Sequence, residues 1–129
     1  MIKTLRRTWL IDIDGVIFPH NGHLNIEYPH YEKALPGVKR FFRLIDKHDK
    51  LILLSSRPGR YEKITKWSLS KNNLRYDIIL FHLPTGARVL VNDRKLDVPE
   101  TAFSINLKRN ARLEIPIKIL KASKVEQIL

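Results

Sequence analysis

TWLIDID, residues 8–14, is too short and too β-branched for a helix, and it predicts a strand that begins apolar and ends in two acids. Asp12 and Asp14 stand two apart, so both carboxylates project to one side where the chain leaves the sheet. The carboxyl end of a strand at a switch in sheet order is where open α/β folds bind ligands, and Gly15 directly after allows a tight turn beside one. An Asp capping a turn accounts for a lone acid at a strand end. It accounts poorly for the whole pattern Asp12-x-Asp14-Gly15-Val16.

Outward from this strand, short apolar runs alternate with longer amphipathic stretches. FPHNGHLNI at 18–26 carries Asn21-Gly22 between Phe18, Leu24 and Ile26, the local signal for a type I′ hairpin, so a small flap is expected. Val38, Phe41, Phe42, Leu44 and Ile45 recur at helical spacing after Pro36 and predict a helix to about His48. KLILLSS at 50–56, bounded by Arg57-Pro58-Gly59, reads as a strand buried on both faces. Tyr61, Ile64, Trp67, Ser68 and Leu69 predict a second helix to about Lys71, closed by Asn72-Asn73. DIILF at 77–81, RVLVN at 88–92 and AFSIN at 102–106 are three further strand candidates. This order argues an open, mostly parallel α/β sheet of five strands. One joint is tight, because six residues, 82–87, are too few for a crossover helix. The tail mixes alternation at Ile115, Ile117 and Ile119 with a last helical turn.

At 129 residues the chain is expected to be one domain, long enough to bury roughly two thirds of its unfolded surface. It has no cysteine, which excludes a disulfide scaffold, thiol catalysis and Cys-ligated zinc. No apolar run approaches the roughly 20 residues of a membrane span, and acids interrupt the apolar start where a signal peptide would continue, so no membrane partner and a cytoplasmic location are expected. The net charge of +11 is dispersed, at +3 over residues 1–50, +4 over 51–100 and +4 over 101–129. Such an excess attracts phosphates and nucleic acid generally, with steep salt dependence, but locates no groove.

WLIDIDGVIF resembles the first motif of the haloacid dehalogenase-like (HAD) superfamily of aspartate-nucleophile phosphohydrolases. LILLSSRPGR resembles the second motif and VLVNDRKLD the fourth, so the resemblance runs from residue 8 to about 110. It implies a three-layer, Rossmann-like HAD fold of small capless type, with a flap after strand one and no cap domain. It also implies a Mg²⁺-dependent phosphatase acting through an aspartyl-phosphate. Asp12 would be the nucleophile, Asp14 the acid/base, and Ser55 the second-motif hydroxyl. Gly15, Ser55, Ser56 and Arg57 would hold the phosphate, and Asp12, Asp14, Asp93 and Asp97 the metal. The residue types suit the chemistry. A carboxylate can attack phosphorus, a second can move the proton, and converging acids need a hard cation.

The sequence departs from the motif set at two places, Leu83 where a third-motif lysine is expected and Asn92 where Gly or Asp is expected. The missing lysine leaves charge uncompensated, for which Arg57 is the first candidate and Lys63 the second; Arg88, at the start of the fourth strand, is expected at the wrong end. His20, His23 and His30, without metal-ligand spacing, are read as solvated, as are Arg6-Arg7 and Lys108-Arg109, while Trp9 and Trp67 are read as core. An uncovered site suits a phosphate on a larger molecule, a sugar-phosphate or nucleic-acid end, or a site completed by a second copy in a homo-oligomer. The alternative is a weakly active or inactive HAD-like module that binds phosphate or nucleic acid.

Overall fold

A computed structural model describes residues 2–21, 30–98, 100–124 and 126–128. Along the chain lie β1 (Ile2–Thr4), β2 (Thr8–Asp12), α1 (Val38–Leu44), β3 (Lys50–Leu54), a 3-10 turn (Gly59–Tyr61), α2 (Glu62–Lys71), β4 (Ile78–Leu80), α3 (Ile117–Ser123) and β5 (Glu126–Ile128). β2, β3 and β4 form a parallel sheet in that order, with Leu10 opposite Ile52 and Ile52 opposite Ile78. β1 and β5 pair antiparallel as a separate two-stranded sheet.

The two-residue period of the strands decides where the core sits. Ile11, Leu51, Leu53 and Ile79 share the face that packs on Val38, Phe41 and Phe42 of α1 and Leu69 of α2. Leu10, Ile78 and Leu80 share the opposite face and are exposed. Buried Asp49 ties the entries to β2 and β3 together, accepting hydrogen bonds from the Arg7 backbone N–H (2.8 Å), Arg7 Nε (3.0 Å) and Trp9 Nε1 (3.1 Å). Trp9 in turn sets its edge against Phe41 at 5.3 Å between centroids. Arg7 is therefore an internal ion-pair partner and not a solvated face.

The five-stranded, three-layer sheet expected from sequence is not formed; the parallel sheet has three strands. Residues 88–92 and 102–106 join no ladder among the described residues. Val89 and Val91 are 83% and 89% exposed. The six-residue link after β4 is the physical reason, since it is too short to carry a crossover to a further parallel strand. Instead the chain turns back at the sheet end, where the His82 and Leu83 N–H groups donate to the Arg57 and Ser55 carbonyls. The flap predicted around Asn21-Gly22 falls mostly on residues 22–29, outside the described residues. Among the described residues, no helix is long and apolar enough to cross a membrane.

The carboxyl-terminal third is strapped across the start of α1. Leu113 N–H donates to the Pro36 carbonyl at 2.9 Å, and Gly37, the residue before α1, has φ +85°. A Cβ there would lie 2.5 Å from the Leu113 carbonyl oxygen, so both the backbone conformation and the close approach require glycine. Gly37→Ala is expected to destabilise the protein by about 1 to 3 kcal/mol, read as a lowered midpoint in urea denaturation.

Candidate active site

Past Asp12 the chain coils on one carbonyl. Ile13 O accepts from the Ile17 and Phe18 N–H groups, both at 3.0 Å, and Gly15 N–H donates to Phe18 O at 2.7 Å. Gly15 takes φ +86°, which an L side chain adopts only with strain. This coil sends Asp12 and Asp14 into a cavity of about 430 Å³ at the carboxyl end of β2. Gly15, Val16 and His20 line it from the same loop, Ser56 from the loop after β3, Thr85 to Arg88 from the turn-back after β4, and Leu107 and Arg109 from the carboxyl-terminal segment.

Arg57 organises the floor of this region. It is 3% exposed, and all five of its guanidinium N–H groups have an acceptor. Nη1 donates to Glu32 Oε2 (2.7 Å) and Thr65 Oγ1 (2.8 Å), and Nη2 to Glu32 Oε1 (2.7 Å) and Asp14 Oδ1 (2.9 Å). Nε lies 3.2 Å from both Asp14 oxygens. Burial alone would lower the Arg57 pKa, but the hydrogen bonds it donates to Glu32 and Asp14 raise it, so the guanidinium stays charged. α2 supports the cluster with a polar face. Ser68 Oγ accepts the Glu32 N–H at 3.1 Å, Asn72 Nδ2 donates to Glu32 O at 2.8 Å, and Asn72 Oδ1 accepts the Ala34 N–H at 3.1 Å.

One cation serves two acids here, which leaves one negative charge before Asp12 is counted. The Asp12 carboxyl opens to the cavity, and the surrounding walls displace enough water to push its pKa above the usual carboxylate value. Arg88 opposes that rise, the charge of Asp14 adds to it, and the Ile13 N–H and His20 lower it. The guanidinium of Arg88 is clipped to its own turn, with Nη1 donating to Pro84 O (2.7 Å) and Gly86 O (3.1 Å) and Nη2 to Ser56 Oγ (3.5 Å).

Asp12, Asp14, Gly15 and Ser56 are thus brought together as the sequence predicts, and Arg57 reaches Asp14. Ser55 is not at the cavity; it is fully buried, and its hydroxyl accepts the Arg57 N–H at 3.0 Å. Extended backbone alternates, so Ser55 follows Leu51 and Leu53 inward while Ser56 lines the cavity. Lys63 stays in solvent, and Lys66 pairs with Glu62 at 2.8 Å. Arg88 and Arg109, read from sequence as wrongly placed and as solvated, both line the cavity. The short link after β4 was the available signal for Arg88, because a chain that cannot cross over must turn back over the same sheet end. Nothing in the sequence pattern marked Glu32.

The acids assigned to Mg²⁺ do not converge. Asp93 and Asp97 lie in the exposed stretch that joins no sheet and are not in the cavity lining. Asp14 is engaged by Arg57, and among the described residues no group of three or more His, Cys, Asp or Glu could hold a metal ion. Among the described residues the four acids are therefore not assembled as one metal site; Asp12 and Asp14 alone of them line the cavity.

Removing Arg57 strands Glu32 and Asp14, so Arg57→Ala is expected to cost about 3 to 5 kcal/mol in chemical denaturation. Asp12 holds its proton to higher pH in the folded protein than in the unfolded chain, so stability falls as pH rises through the window between the two pKa values. Asp12→Asn is accordingly stabilising above that window. In a carboxyl-detected NMR titration, Arg88→Ala raises the Asp12 midpoint and Asp14→Asn lowers it. No family model, no curated protein and no solved structure matches the chain.

Proposed function

We propose that the protein is a phosphomonoester hydrolase of HAD type in which Asp12 is the nucleophile. The observation that carries this reading is the pair Asp12 and Asp14 opening together into one cavity that also holds Arg88, Arg109 and Ser56. The resemblance of WLIDIDGVIF and LILLSSRPGR to HAD motifs supports it independently.

The Asp12 carboxylate attacks phosphorus as the ester P–O bond breaks, forming an aspartyl-phosphate. Asp14 takes up a proton as the anionic phosphate enters beside it and gives that proton to the departing oxygen. Asp14 then takes a proton from the water that hydrolyses the acyl-phosphate, restoring Asp12 and releasing orthophosphate. Arg57 fixes the orientation of Asp14 through the contacts at both carboxylate oxygens, and Arg88 supplies the positive charge facing Asp12 in place of the lysine that Leu83 replaces. The Ser56 hydroxyl, which donates to Pro84 O at 3.3 Å, binds a phosphoryl oxygen by turning that one donor from the carbonyl to the substrate. The engagement of Asp14 by Arg57 favours a second reading, a module that binds phosphate without hydrolysing it.

Release of aryl alcohol and phosphate from a generic aryl phosphate, assayed with Mg²⁺, without it and with a chelator, separates the two. Turnover is expected to fall by about 10³ or more in Asp12→Asn and by about 10² to 10⁴ in Asp14→Asn. Arg88→Ala is expected to lose about 10², the scale of one preorganised electrostatic donor. Phosphate binding with no turnover under any of the three conditions would replace the hydrolase reading with the binding module.

A further inference from the structure

The proposed chemistry uses Asp12, Asp14, Arg57, Arg88 and Ser56, and it leaves one cation of the cavity unassigned. Arg109 is carried by a turn in which Ala111 N–H donates to Lys108 O at 3.1 Å. That turn is fastened to the loop after β2 at two points. Asn110 N–H donates to Gly15 O at 2.9 Å, and Asn110 Oδ1 accepts the His20 N–H at 2.6 Å. The aliphatic stem of Arg109 then crosses Gly15 so closely that a Cβ on Gly15 would meet Arg109 Cγ at 3.1 Å. The stem is held, yet among the described residues the guanidinium has no hydrogen-bond or ion-pair partner.

Arg88, the other arginine of the lining, is engaged by Pro84, Gly86 and Ser56, and Arg57, buried behind Asp14, by Glu32, Asp14 and Thr65. A planar group of five donors on a fixed stem, in a concavity, suits a phosphate bound bidentately. The cavity, at about 430 Å³, falls in the range of whole small-molecule sites and exceeds what one phosphoryl group fills. Arg88 and Arg109 come from different segments, the first anchored to Ser56 and the second packed on Gly15. They therefore provide two separate anion contacts with the acids belonging to the same cavity.

We propose that Arg109 is a specificity-determining residue that binds a second phosphate group of the substrate, separate from the phosphoryl group that Asp12 attacks. The substrate class is a phosphomonoester carrying a neighbouring phosphate, which occurs both in a nucleoside bisphosphate and at a phosphorylated oligonucleotide end. This deepens the hydrolase reading and rests on it for the identity of the attacked group, whereas the anion contact itself does not.

The test compares kcat/KM for an aryl phosphate, a nucleoside 3′,5′-bisphosphate and a 5′-phosphorylated dinucleotide, in the full chain and in its Arg109→Ala and Arg109→Lys variants. The unaltered chain is expected to prefer the two substrates that carry a second phosphate group. Arg109→Ala is expected to reduce that preference by about 10 to 100-fold, through KM more than kcat, with partial return in Arg109→Lys. The better of the two substrates with a second phosphate distinguishes the free from the polymeric source. Equal losses on all three substrates, or no preference to lose, overturn the proposal. Calorimetric titration with orthophosphate and with pyrophosphate covers a protein without turnover. Tighter pyrophosphate binding that is lost in Arg109→Ala upholds the second-phosphate contact while the hydrolase reading fails, and indifference to the substitution overturns the contact.

Discussion

Everything at the end of β2 depends on a buried guanidinium whose donors are all engaged. Arg57 is surrounded by Glu32, Asp14 and Thr65, with the Phe18 ring 5.9 Å away. Burying a cation is tolerable only when both its charge and its hydrogen-bonding capacity are met, and here two carboxylates meet the charge and, with the Thr65 hydroxyl, the hydrogen bonds. The consequence for the site is directional. Asp14 is oriented by a rigid fork and not by a flexible chain, and the segment 30–36 is held on α2 because Glu32 must reach the same cation. Asn72 and Ser68, which capture the Glu32 and Ala34 backbone, belong to the same constraint.

The arginine that binds these acids cannot also compensate Asp12, and this decides the electrostatics of the cavity. A candidate taken from the loop after β3, as Arg57 was, is the natural choice when only chain order is visible. The short segment after β4 supplies a different one. It cannot cross the sheet, so it folds over the sheet end, and Arg88 arrives where a lysine in the preceding residues would have been expected. Its grip on the Pro84 and Gly86 carbonyls makes the turn and the charge one unit. Arg109 enters from the other end of the chain, because the strap that crosses Gly37 continues from the turn packed on Gly15.

The architecture is lighter than the periodicity suggested. Three parallel strands carry helices on one face, while Leu10, Ile78 and Leu80 remain exposed on the other. RVLVN has the composition of a strand, yet strand propensity expresses packing against neighbours, and among the described residues this segment has neither a ladder nor a covered face. The pair Asp93 and Asp97 goes with it, since acids placed by a strand lose their site when the strand does not form.

What the sequence determined by itself was local. The apolar run ending in Asp12 and Asp14, the stripes of α1 and α2, and the stop at Asn72-Asn73 all follow from side-chain periodicity and short-range backbone preference. The glycine after Asp14 follows in the same way. Those forces act within a few residues and are written in order along the chain. Tertiary structure alone decided the partner of Arg57, the inward turn of Ser55 against the outward turn of Ser56, and the arrival of Arg88 and Arg109 beside Asp12. Glu32 lies 25 residues from the arginine it holds, and Arg109 lies beside Gly15 with most of the chain between them. No periodicity encodes such meetings; they follow from which buried charges must be paired and from which close approaches a bare glycine permits.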